Sequence, residues 1–155
     1  MHFRISGLPL APFASLFELS DAELADKAIV RHTATANHGF PCRVSLRDAE
    51  IGERLLLLNY EHLPAASPYR ASHAIYVRES ASEVQLEIDE IPEALASRLL
   101  SLRAYDTQGM MRHADVVNGR EVRPLITEML SDPSVDYIHV HNAKPGCYAA
   151  RIDRA

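Results

Sequence analysis

Four consecutive leucines, Leu55 to Leu58, lie inside the segment Glu53 to Tyr60 and constrain the fold more than any other stretch of the chain. Side chains alternate between the two faces of a strand, so such a run puts apolar groups on both faces at once. A strand of that kind is predicted in the middle of a sheet with covered faces. The run is also the longest apolar stretch of the sequence, far short of the ~20 residues that cross a bilayer as a helix. Met1-His2-Phe3-Arg4 does not resemble the start of a signal peptide. A cytoplasmic protein without a membrane partner is therefore expected, with Cys42 and Cys147 as thiols in a reducing compartment; in an exported protein the same pair could form a disulfide.

Turn residues divide the rest of the chain. Phe3 to Ser6 reads as a strand ended by Gly7-Leu8-Pro9, and Ser20 with Asp21 and Glu23 as the capped start of a helix over Ser20 to Lys27. Ala28 to Ala36 has extended character, and Asn37 to Pro41 is a loop. Ser45 to Ala49 is predicted as one capped helical turn, His73 to Arg78 as a strand, and Val84 to Ile88 as an edge strand. Pro92 opens a helix of about two turns reaching Leu99 or Leu100. Ser101 to Asp106 and Met110 to Val117 form a hairpin about Thr107-Gln108-Gly109. A helix over Glu121 to Leu130 gathers Val122, Leu125, Ile126 and Met129 on one face, and Asp132-Pro133 stops it. Hairpins outnumber βαβ units and no repeat or linker appears. The expected class is α+β, a single domain over residues 1–155 with a mainly antiparallel sheet and a few short helices packed on it.

Charge excludes one class of partner. The chain has net charge −5 and no basic block, so the electrostatic footprint of a nucleic-acid binder is missing. Fourteen of its sixteen cations are arginine, whose planar fork suits carboxylates and phosphates; a GC-rich coding sequence produces the same bias without function. Phosphate-binding glycine loops, GxSxG elbows, HExxH and EF-hand patterns are absent.

The segment Asp136 to Arg151 carries the most chemistry for its length. In a strand, Tyr137, His139 and His141 share one face while Ile138 and Val140 take the core face. A five-residue loop over 142–146 sets His141 opposite Cys147, His139 opposite Ala149 and Tyr137 opposite Arg151, which gathers two imidazoles and a thiol. A loop of four or six residues reverses that parity. The grouping suits zinc through His139, His141 and Cys147, with water or the distant His73 as fourth donor. It equally suits nucleophilic catalysis, with Cys147 as thiolate, His141 or His139 as base and Asn142 as orienter or oxyanion donor. Satisfied structural histidines and a buried structural thiol are the bland alternatives.

The motifs Phe40-Pro41-Cys42-Arg43, Ser67-Pro68-Tyr69-Arg70, Leu102-Arg103-Ala104-Tyr105, His139-Val140-His141-Asn142 and Gly146-Cys147-Tyr148 together resemble the bacterial proteins grouped as domain of unknown function 1203. The resemblance runs from Phe3 to Arg151 and implies a small bacterial protein, with no catalytic residue or cofactor to carry over. The site expected from the sequence takes a small anionic ligand and is lined by Cys42, Arg43, Tyr69, Arg70, Arg103 and His139, with Cys147, His141 and Asn142 as the chemical group. The alternatives are a non-catalytic binding or interaction protein whose polar residues are structural, and a zinc protein built on the His-x-His pair and a cysteine. No cofactor and no oligomeric state is read from the sequence.

Overall fold

The computed structural model describes residues 1–155. It is an α+β fold of eight strands in two antiparallel sheets. The strands are β1 (Phe3–Ser6), β2 (Val30–Thr33), β3 (Arg54–Leu63), β4 (Ala71–Arg78), β5 (Leu99–Tyr105), β6 (Met111–Asn118), β7 (Tyr137–Asn142) and β8 (Tyr148–Arg154). The helices are α1 (Asp21–Ala25), α2 (Glu93–Ala96) and α3 (Val122–Ser131). One sheet has the order β1-β8-β7-β5-β6 and the other the order β2-β3-β4. The leucine run thus lies in the central strand of the smaller sheet, where Leu55 and Leu56 are fully buried.

The larger sheet is covered on both faces. On one face Leu100, Leu102, Ile138, Val140 and Ile152 pack against α3, where Val122, Ile126 and Met129 of the predicted stripe are buried with Leu130, and the predicted Leu125 is only partly buried. The smaller sheet covers the opposite face, where Tyr148 joins Leu56, Leu58, Ile75 and Val77 in a second core. As a result every residue of β7 is buried, whichever way it points.

Local chemistry explains the helix limits. Ser20 and Glu23 form a reciprocal capping box at α1, while Pro92 takes the cap position of an α2 only four residues long. Leu99 and Leu100, predicted to end that helix, instead begin β5. Ser45 to Ala49 forms turns and an isolated bridge of Asp48 with Pro41 rather than a helical turn. Val84 to Ile88 makes no strand. Arg4 Nη1 and Val44 O are among its partners, so its polar groups are met by scattered contacts rather than a ladder.

The N-terminal segment is tied to the centre by Gly7. A Cβ there would lie 2.6 Å from Val44 O and 2.8 Å from Arg43 O, so only glycine allows Leu8 N to donate to Arg43 O at 2.8 Å. Four residues of α3 belong to the major core. Ile126→Ala, at a fully buried position, is expected to cost about 2–5 kcal/mol in urea unfolding, against less than ~0.5 kcal/mol for Val116→Ala on exposed β6.

Candidate functional site

Four of the eight histidines meet between the two sheets. His139 and His141 point from β7 toward the smaller sheet, and His62 of β3 and His73 of β4 face them. Ring centres lie 4.8 Å apart for His62 and His73, 5.0 Å for His62 and His139, 5.0 Å for His62 and His141, and 5.1 Å for His73 and His141. The ladders are irregular at two points here, and the one in β3 adds a histidine to the cluster. In β3 the pairing steps from Glu61 opposite Ser72 to Leu63 opposite Ala71, leaving His62 as the extra residue of a bulge. The bulge turns both His62 and Leu63 inward, and both are buried. In β8 the pairing steps from Tyr148 opposite His141 to Ala150 opposite Val140, with Ala149 as the extra residue.

Hydrogen bonds set which imidazole nitrogens are free. His141 Nδ1 lies 3.0 Å from Gly146 O, and a carbonyl only accepts, so Nδ1 carries the proton and Nε2 has the lone pair. His62 Nδ1 and His139 Nδ1 are 3.0 Å apart and share one proton between them. That leaves His62 Nε2, His73 Nδ1 and His141 Nε2 buried without a partner, each a cost of about 1–3 kcal/mol. One ligand nitrogen from each of these three residues lies within 4.8 Å of the others, so the same three side chains could hold a metal ion.

Burial keeps the rings neutral. It lowers His62 to about 4, His139 to about 2 and His141 to about 3, with neighbouring imidazoles and Arg103 adding to the effect. His73 is lowered too, first by burial and then by Arg103 and Arg43. Arg103, half-buried on β5 opposite His139, is in no ion pair, and its charge opposes protonation of all four rings.

Beside the cluster is a cleft of ≈ 540 Å³ whose wall includes His73, Arg43, Asn142, Cys147, Arg98 and Lys144. Arg43 is 2% exposed. Its guanidinium donates to Tyr148 O at 2.7 Å, to Pro41 O, and to Cys147 Sγ at 2.9 Å. No carboxylate pairs with it, in contrast to buried Arg78, which meets Glu53 at 2.8 Å, and Arg98, which meets Asp48. Burial therefore lowers the Arg43 pKa, with the neighbouring cysteines acting in opposition. Asn142 Nδ2 is 3.7 Å from the same sulfur, and Asn142 Oδ1 is buried without a partner. The loop that presents Cys147 is closed by Asn142 N to Cys147 O at 2.9 Å and Gly146 N to Asn142 O at 2.8 Å, with Gly146 at φ 77°. At that φ an L side chain would be strained.

A model of the family described as a protein of unknown function (DUF1203) matches residues 39–154. The chain belongs to that family. No curated protein and no solved structure matches it. The matched region of the DUF1203 chain contains all four clustered histidines and every residue of the cleft wall except His38, while β1, α1 and β2 precede it.

Within this DUF1203 domain the residues singled out from sequence separate into three groups. Arg43, Asn142 and Cys147 share the cleft wall, and His139, His141 and Arg103 gather at the histidine cluster. Cys42, Tyr69 and Arg70 lie elsewhere. Cys42 is 1% exposed, and its sulfur accepts from Arg78 N at 3.3 Å. Arg70 makes a forked surface pair with Glu61 at 2.8 and 3.2 Å, and Tyr69 is exposed. The expected pairings also shift: Tyr148, not Cys147, stands opposite His141, and His139, not Tyr137, stands opposite Arg151. Neither nitrogen of His141 hydrogen-bonds the Cys147 sulfur, so those two groups form no thiol–base pair in this conformation. His62 was missed because the sequence strand ends at Tyr60, and no periodicity announces the bulge that turns it inward.

The depressed histidines give a defined pH response. A group whose folded pKa lies below its unfolded value of 6.5 contributes fully above pH 6.5 and loses that contribution as pH falls, because the unfolded chain then binds protons the folded chain does not. Unfolding free energies from urea titrations with a chelator present are expected to fall steadily from pH 6.5 to 5.5, above the range in which carboxylates titrate, by up to ~1.4 kcal/mol per pH unit for each of His62, His139 and His141. A flat profile across that window would mean the imidazoles are reached by water.

Proposed function

We propose that the cleft binds a small anionic molecule, and that Cys147 is the nucleophile presented to it. The observation that carries this reading is the cleft wall itself: it bears Arg43 and Lys144, neither paired with a carboxylate, beside Arg98, which Asp48 already matches, together with His38 and His73, and the wall has no aspartate or glutamate, in a chain of net charge −5. A wall with cations and no carboxylate favours carboxylates and phosphates over other small molecules. Of the five guanidinium N–H groups of Arg43, three are engaged, which leaves donors for a ligand. Asn142 Oδ1, buried and unpartnered, accepts from a hydroxyl or amine on the same ligand. A carboxylate or phosphate that also carries a hydrogen-bond donor fits both requirements.

The half-buried Cys147 sulfur sits between Arg43 and Asn142, and that placement supports a thiol role in addition to binding. Cys42, sealed in the core, supports none.

Two measurements test the reading. In thermal shift at matched ionic strength, hydroxycarboxylates or phosphate esters are expected to stabilise the protein over chloride, by about 2.7 kcal/mol at a hundred times Kd, with Lys144→Ala weakening the effect. Iodoacetate is expected to carboxymethylate Cys147 and spare Cys42, the sulfur displacing iodide, at a rate slowed by the stabilising anion. If no anion stabilises the protein and alkylation proceeds at one rate with or without anions, the cleft is not an anion site.

A further inference from the structure

We infer that His62, His73 and His141 form a binding site for a divalent transition metal of the zinc type, with its fourth coordination position open to the cleft. The inference does not rest on the anion reading of the cleft. It uses a ligand set that differs from the His139, His141 and Cys147 grouping suggested by the sequence, and two of its three members come from the smaller sheet.

Three observations converge on it. First, the buried ring nitrogens without partners belong to these three residues and to no other histidine. Second, the spacing suits coordination. With Zn–N bonds of about 2.0 Å and tetrahedral angles, three coordinating imidazoles have ring centres roughly 5 Å apart, and the observed separations are 4.8, 5.0 and 5.1 Å. The nitrogens themselves, at most 4.8 Å apart, need to close to about 3.3 Å for a tetrahedral ion, a movement within reach of ring rotation. Third, the groups behind the ligands are those a metal site uses. His141 Nδ1 donates to Gly146 O, fixing Nε2 as the lone-pair nitrogen, and His139 Nδ1 holds His62 Nδ1 so that a proton placed there leaves His62 Nε2 free.

The donor chemistry limits the choice of ion. Three neutral imidazoles with no carboxylate among them favour zinc and its neighbours in the first transition row over calcium or magnesium, which take oxygen ligands. Three protein ligands leave one position unfilled, the pattern of a site that binds water or substrate rather than a closed structural one. His73 stands both in the triad and on the cleft wall, so the unfilled position opens there. Arg103, unpaired beside the cluster, adds positive charge and favours an anion at that position: hydroxide, or the carboxylate or phosphate of a small molecule.

The test uses full-length protein purified without an affinity tag, stripped with a chelator, and titrated with cobalt(II) or zinc(II) in buffer free of phosphate and carboxylates. One equivalent of cobalt is expected to give the intense visible absorption of a four-coordinate ion and to be displaced by zinc. His62→Gln and His141→Gln are expected to weaken zinc binding by more than about 100-fold, and the positioning variant His139→Gln by about 10-fold. Cys42→Ser and Cys147→Ser are expected to leave it within about twofold. Where a buried variant does not fold by circular dichroism, the half-exposed His73→Gln replaces it, with the same expected loss. Absence of stoichiometric binding, unchanged affinity in a folded histidine variant, or loss of binding in Cys147→Ser each overturns the inference. Because no anionic ligand is present, failure here leaves the anion reading standing, and anion stabilisation measured with a chelator present is independent of metal.

Discussion

The covering of the polar face of β7 by a second sheet is the constraint on which the rest of this structure depends. One face of β7, with Ile138 and Val140, is satisfied by α3. The other presents Tyr137, His139 and His141, and would ordinarily face water. Here it is closed by β3 and β4, which bring histidines of their own. No carboxylate enters the gap to share a proton, so charging any ring would place an unpaired cation in a region of low dielectric. The two sheets can therefore pack only if the imidazoles remain neutral. Each neutral imidazole has one lone pair and one N–H, and in three of the rings a buried nitrogen has no partner.

Arg43 shows the same economy of partners. Its backbone is held by Tyr76 O and Leu8 N, and its side chain crosses to the larger sheet to reach Tyr148 O and the Cys147 sulfur. Arg78 and Arg98 show how the fold treats a guanidinium that serves structure alone: each is matched by a carboxylate. Arg43 is more deeply buried than either and has backbone carbonyls and a sulfur instead. Such an arrangement leaves the charge locally uncompensated beside the cleft, at some expense in stability.

How much of this could be read from the sequence depended on whether regular periodicity carried the information. The leucine run announced a central strand, the 122–130 pattern announced α3, and the alternation after Asp136 placed His139 and His141 on one face, because each element keeps its period over its whole length. Bulges break that period without a compositional mark. The extra residue at His62 hid a histidine beyond the apparent end of β3, a six-residue loop over 142–147 moved the partner of His141 from Cys147 to Tyr148, and the extra residue at Ala149 then shifted every pair beyond it. Ser45 to Ala49 had the composition of a capped turn, but its backbone pairs back onto the preceding loop, Leu46 N to Cys42 O and Ala49 N to Phe40 O, and Leu46 at φ 48° stops the single turn from continuing as a helix. Arg70 offered the same fork as Arg43, and only tertiary structure shows that Glu61 already occupies it.

The two proposed sites meet at His73, and their electrostatics make them complementary. A divalent ion held by neutral ligands next to Arg103 and Arg43 would carry an excess of positive charge into a half-enclosed space. An anion in the cleft would carry the opposite excess. Each therefore lowers the cost of binding the other, and by linkage the effect is reciprocal: whatever factor the metal adds to anion affinity, the anion adds to metal affinity. The nearby Cys147 sulfur lies outside the set of converging nitrogens, so it remains available to a cleft ligand while the imidazoles hold the ion. A carboxylate or phosphate bridging from the ion to Arg43 would bring its own atoms against that sulfur, which is the arrangement in which ligand orientation, rather than thiol reactivity alone, decides what the site can do.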